Sequence, residues 1–203
     1  MQRTMKGFTL IELAVVIAII SILALLAVPT FLEREARARQ VEARTNLRAL
    51  YNAEKAYFAE TNSFTTFIKR VGFNLERSNR YQYNLDTTYN PDDRTGPVTV
   101  VTNTTNAIMI DAFRGFSLGT GASAATAVTA SVCNGASPFG LSNTASGDQV
   151  FTAGAQGNID NDTTLDLWTI STAGRSLTGC NNSPAAINSP AGEPANESND
   201  VFQ

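Results

Sequence analysis

From Leu13 to Leu32 the chain runs through 20 residues without one ionisable side chain. A helix of that length spans roughly 30 Å at about 1.5 Å per residue, the thickness of a hydrocarbon core. A secretory signal has a shorter apolar core, about 7–15 residues, and its small-residue cleavage site comes afterwards. Here the small residue, Gly7, comes before the run. The preceding MQRTMKG carries Arg3 and Lys6. The positive-inside rule keeps those charges cytoplasmic and puts the chain beyond Leu32 outside the cytoplasm. Cleavage after Gly7 would remove the charges, keep the helix and leave Phe8 with a free amine.

Glu12 stands at the head of this run. A carboxylate deep in a membrane helix costs about 2.5–3.5 kcal/mol on insertion scales, and such groups have partners. Three readings are open. Glu12 pairs with the Phe8 amine of its own chain, one turn away, where the helix N-terminus also favours a negative charge. It pairs with the Phe8 amine of a neighbouring chain, neutralising two charges and setting the axial register of packed helices. Or it snorkels to the interface.

Gly7-Phe8-Thr9-Leu10-Ile11-Glu12, the apolar run and Pro29 late within it together resemble the class III signal of type IV pilins. The resemblance is strongest over residues 7–60 and continues weakly through NRYQYNLD and GNIDNDTTLDLWTI, as in longer type IVa major pilins. It implies that a prepilin peptidase cuts after Gly7 and methylates the Phe8 amine. It implies that Glu12 matches the glutamate that pairs with a neighbour's amine during assembly. The family often has glycine where this chain has Ser21; serine disfavours a helix less, by a few tenths of a kcal/mol. Pro29 removes a hydrogen bond and crowds the preceding turn, so a local unwinding is expected just before it.

After Leu32 the composition changes. Residues 33–60 carry six basic and five acidic side chains among good helix formers. Leu47, Leu50, Tyr51, Tyr57 and Phe58 fall near one face. One helix over about 8–60, disturbed near Pro29, is expected. Its mixed charges at 33–39 read as a solvated face or as interchain ion pairs. Tyr81, Tyr83 and Leu85 alternate on one face of a strand. Val98–Thr102, Ala107–Phe113, Val150–Ala155 and Leu165–Ser171 are further strand candidates. Three to five antiparallel strands covering the helix make an α+β fold, the ladle shape the resemblance implies. The domains read as a leader, 1–7; a membrane or filament-core helix, 8–32; an amphipathic half, 33–60; a globular region, 61–180; and a loose tail, 181–203. Residues 117–147 carry no charge and are poor in large apolar side chains, so they read as a surface excursion.

The chain contains no histidine and two cysteines. That excludes a Ser-His-Asp triad, a Cys-His pair and an imidazole-ligated zinc site, and no active site is assigned. In an oxidising periplasm Cys133 and Cys180 are a disulfide or two buried thiols; the disulfide is expected, and it resembles the family's stapled C-terminal region. Asp160, Asp162 and Asp166 lie within seven residues, spaced as oxygen ligands for calcium or as an Asx-rich turn. The helix-loop-helix calcium pattern fails here, since Leu165 and Ser171 stand where glycine and glutamate belong.

The resemblance implies a non-enzymatic filament subunit whose main partner is itself. Further implied partners are the prepilin peptidase, an inner-membrane assembly machine, an outer-membrane secretin and the membrane. It implies a precursor in the inner membrane, an extracellular pilus on a Gram-negative cell, twitching motility and surface attachment. The net charge of −3 gives no basic footprint for nucleic acid as main partner. The rivals are a type II secretion pseudopilin, a minor pilin, and a membrane-anchored binding domain that never polymerises.

Overall fold

The computed structural model describes residues 7–116, 133–135, 138–144, 146–159, 164–182 and 185–201. Helix α1 runs Leu10–Thr61, 52 residues, or about 78 Å. Thr9 caps its start. Asn62 ends it in the left-handed conformation, its N–H donating to the Phe58 carbonyl at 2.8 Å. Only the second half buries a face: Ala36, Ala43, Leu47, Leu50 and Glu54, at intervals of three, four and seven residues. Tyr51 and Phe58 border that stripe, and Tyr57 is half-buried.

The helix does not break at Pro29. The expected unwinding is absent from the single chain. The Thr30 hydroxyl donates to the Ala27 carbonyl at 2.9 Å and the Ser21 hydroxyl to the Ile17 carbonyl at 2.7 Å. Both hydroxyls bond back to a carbonyl of the preceding turn.

A short helix α2 (Ile68–Val71) comes next. The strands are β1 (Tyr81–Asn84), β2 (Ala107–Ile108), β3 (Gly140–Asn143), β4 (Gln149–Gly157), β5 (Asp166–Ser171), β6 (Arg175–Leu177), β7 (Ile187–Ser189) and β8 (Ala195–Ser198). Six of them form one antiparallel sheet ordered β2-β1-β4-β5-β8, with β3 also on β4. β4 is long enough for β3 to pair with its first half and β1 with its second half, while β5 takes the other edge. β6 and β7 make a separate hairpin.

Strand alternation decides what meets the helix. Tyr81, Tyr83, Phe151, Ala153, Ala155, Trp168 and Ile170 join Leu47 and Leu50 in the core. The other face is polar yet buried: Gln82 Nε2 donates to Gln156 Oε1 at 3.1 Å and Thr152 Oγ1 to Ser171 Oγ at 3.0 Å. Phe139 lies on this face against Gly154, where a Cβ would sit 2.5 Å from the ring.

Five expectations change. Of the expected surface excursion 117–147, residues 140–143 form β3 in the main sheet and Phe139 is buried, while 117–132, 136, 137 and 145 lie outside the described residues. Among the described residues the sheet has six strands, not three to five. The segment expected as a loose tail contributes β7 and β8, and β8 completes the main sheet at β5. Val98–Thr102 is not a strand; it makes a single bridge, Val100 to Asp93. Val98 and Val100 point to solvent, and among the described residues no neighbouring strand comes alongside. The expected strand Ala107–Phe113 is two residues long, because Ala112–Arg114 turns into a 3-10 helix.

Arginines order this irregular region. Arg94 is fully buried. Its guanidinium donates to Asp92 at 2.7 Å, Asn79 at 2.8 Å and the carbonyls of Leu75 and Glu76. Arg77 donates to both oxygens of Asp111 and to the carbonyls of Arg94 and Gly96. Loop carbonyls satisfied this way need no strand partner.

Candidate assembly site

The first half of α1 is the site. Phe8 is 80% exposed, and every large apolar side chain from Leu10 to Leu32 is exposed as well. None of the described residues covers this surface. An apolar helix without a partner face needs lipid or other helices.

At its head, Thr9 and Glu12 form a capping box. Glu12 N–H donates to Thr9 Oγ1 at 3.2 Å. The Thr9 backbone N–H and hydroxyl donate to Glu12 Oε2 at 2.9 and 2.7 Å. In the uncleaved chain, where Phe8 has no free amine, Glu12 is held among the described residues by Thr9 alone. Threonine followed three residues later by glutamate, ahead of an apolar run, is a helix-start signature, and it could have identified Thr9 from sequence. Gly7, the expected cleavage residue, is exposed.

Below the apolar run the charges pair within the chain. Arg37 bridges Glu33, and Arg39 bridges Glu35 at 2.6 Å, both at i,i+4 spacing. Arg39 also donates to the Ile159 carbonyl, tying the helix to the end of β4.

Of the three expected calcium ligands, Asp160 and Asp162 lie outside the described residues. Asp166 is fully buried, and its oxygens are occupied. Oδ1 accepts from Gln40 at 2.8 Å and from Asn196 at 3.0 Å, and Oδ2 accepts from Tyr81 at 2.6 Å and from the Trp168 indole. Asp166 joins the helix, β1, β5 and β8. Asp200 accepts from the Ile159 N–H at 3.0 Å and from the Thr164 hydroxyl, so it ties residue 159 to residue 164. Among the described residues no group of three or more His, Cys, Asp or Glu side chains could hold a metal.

Cys133 and Cys180 are bonded, with Cα atoms 5.0 Å apart. The bridge lies in a small cluster with Leu177 and Ala195. Asn134 also exchanges both backbone hydrogen bonds with Thr178, so the staple holds residue 133 to the β6–β7 hairpin.

The comparisons with known proteins agree with this geometry. Residues 34–166 match the family described as type IV pilin PilA, and residues 2–28 match the prokaryotic N-terminal methylation motif. The chain is 39% identical to the type IV major pilin protein PilA of Myxococcus xanthus, covering 97% of this chain and 92% of that one. It is 41% identical over 65 residues to the type IV wide pilus major component PilA4 of Thermus thermophilus, covering 32% of this chain and 50% of that one. It is 40% identical over 65 residues to the type II secretion system core protein G of Aeromonas hydrophila, covering 32% of this chain and 46% of that one. The pseudopilin likeness thus spans a third of the chain, whereas the pilin likeness spans nearly all of it. An uncovered apolar helix on an antiparallel sheet, the methylation motif and near full-length identity to a major pilin place this chain in the type IV pilin family, as a structural pilus subunit and not an enzyme.

Proposed function

We propose that the chain is the major subunit of a pilus that serves twitching motility and surface attachment on a Gram-negative cell. A prepilin peptidase cuts after Gly7 and the new Phe8 amine is methylated. The precursor waits in the inner membrane with its sheet domain in the periplasm. An inner-membrane machine then lifts subunits into a filament, which leaves through an outer-membrane secretin.

One observation carries this reading. The apolar surface from Phe8 to Leu32 is uncovered while the rest of the chain closes its own core. Lipid covers that surface before assembly, and sister helices cover it afterwards. Glu12 is satisfied within its own chain by Thr9, so the precursor carries no orphan carboxylate in the bilayer. On assembly it meets the Phe8 amine of the next subunit, an ion pair strengthened where water is excluded. Pro29 is the place where α1 loosens on entering the filament.

Fibres sheared from cells test the proposal by intact mass and N-terminal peptide mass. An abundant chain beginning at N-methylated Phe8 supports it. A processed chain confined to the membrane favours the pseudopilin or minor-pilin reading. A chain retaining Met1–Gly7 rejects polymerisation and leaves a membrane-anchored domain.

A further inference from the structure

Glu54 lies on the buried stripe of α1 two turns before the helix ends. It is 0% exposed. Its Oε2 accepts one long hydrogen bond, from the Thr65 N–H at 3.3 Å, and its Oε1 has no partner. A charge at this position would be desolvated and unpaired, the most costly state a carboxyl can occupy.

The segment that covers it is 62–67, where the chain leaves the helix and folds back over it. Phe64, Thr65 and Thr66 are buried there. The Phe64 ring stacks on Phe58 with centroids 4.4 Å apart, and the Phe64 N–H donates to Gln149 Oε1 at 2.7 Å. Segment 62–67 and β4 contain no ionisable side chain. The charged groups on the surrounding elements are turned elsewhere. Lys55 lies over the Phe58 and Phe64 rings, Asp86 meets Thr66 and Thr87, and Arg70 of α2 stacks on Phe67. Lys69, the other charge of α2, makes no ion pair with Glu54, and Asp148 before β4 accepts from Ser146.

We propose that Glu54 is a proton-held latch: as a neutral acid it keeps segment 62–67 seated on the core, and each release of that segment sheds a proton. Burial pushes its pKa up to about 8, only partly offset by the Thr65 N–H. Once the segment lifts, water reaches the carboxyl and it returns to the ordinary carboxylate range. Opening is therefore coupled to losing one proton between those two limits. Acid holds the loop down and rising pH frees it, exposing Phe64 and the end of the helix.

Amide hydrogen exchange of the full chain in sheared fibres reads this directly. After correction for the intrinsic exchange rate, the opening constant of amides 62–67 should rise about tenfold per pH unit from pH ~5 to ~8 and then level off. The same amides in Glu54→Gln should show no such slope. Equal slopes in both chains would overturn the proposal. Infrared spectroscopy of the unaltered chain guards against a variant that misfolds. A protonated carboxyl must persist at neutral pH and vanish as pH passes about 8, and its absence at about pH 7 would equally overturn the latch.

Discussion

The Tyr81 hydroxyl donates to Asp166 Oδ2 at 2.6 Å, joining β1 to β5 beneath the helix. The same carboxylate also takes Gln40 of α1 and Asn196 of β8. Its loss would leave several buried donors unmet at once. Asp166→Ala should destabilise the domain by about 3 kcal/mol or more, whereas Tyr81→Phe, which removes one donor, should cost about 1–3 kcal/mol. Denaturant unfolding of the two variants gives both numbers.

The Thr9–Glu12 capping box predicts a graded assembly phenotype. Glu12→Ala should leave the precursor inserted and abolish fibres. Thr9→Val should keep the carboxylate but lose its hydroxyl donor and the side-chain cap, weakening the helix start by about 1 kcal/mol. Its fibre yield should lie between that of Glu12→Ala and that of the unaltered chain. The ratio of sheared to membrane-held chain measures this, and equal yields for all three chains would remove Glu12 from assembly.

Reduction of Cys133–Cys180 opens a long loop and should lower stability by about 2–4 kcal/mol. The effect should concentrate on the β6–β7 hairpin, since Cys180 lies between its two strands. Hydrogen exchange with and without reductant would show whether amides 175–189 lose protection before those of β4.

Gly154 leaves room for Phe139 on the polar face of the sheet, and a methyl there would stand 2.5 Å from the ring. Gly154→Ala should cost about 1–3 kcal/mol through forced displacement of the ring. The double variant Gly154→Ala, Phe139→Ala should recover part of that loss, which a double-mutant cycle detects.

Glu54 also sets a global pH trend. The folded chain holds its proton up to about pH 8, while an unfolded carboxyl releases it near the ordinary glutamate value of 4.5. The folded state thus binds the extra proton across that window, and stability falls as pH rises through it. The slope should be about 1.4 kcal/mol per pH unit from this group. Glu54→Gln should flatten the curve of unfolding free energy against pH.

The sequence alone determined the N-terminal half of this protein. Twenty residues without an ionisable group, a flanking glycine and a carboxylate at the head of the run are local facts, and a helix of that composition needs lipid or sisters whatever the rest of the chain does. The alternation of Tyr81, Tyr83 and Leu85 was legible for the same reason, because a strand turns every second residue to the same face. The capping role of Thr9 is equally local, written in its spacing from Glu12. Tertiary structure decided the rest. Asp166 looks like an ion ligand in a row of aspartates, and only the arrival of Gln40, Tyr81 and Asn196 from distant positions makes it a hydrogen-bond hub. The polar segment near the C-terminus reads as a tail, yet β8 closes the sheet because β5 offers it an open edge. Glu54 falls on the face of Leu47 and Leu50 by its spacing, but only segment 62–67 folding back over it takes its carboxyl out of water. Long-range partners decided these outcomes, and the spacing of residues along the chain does not show which partners arrive.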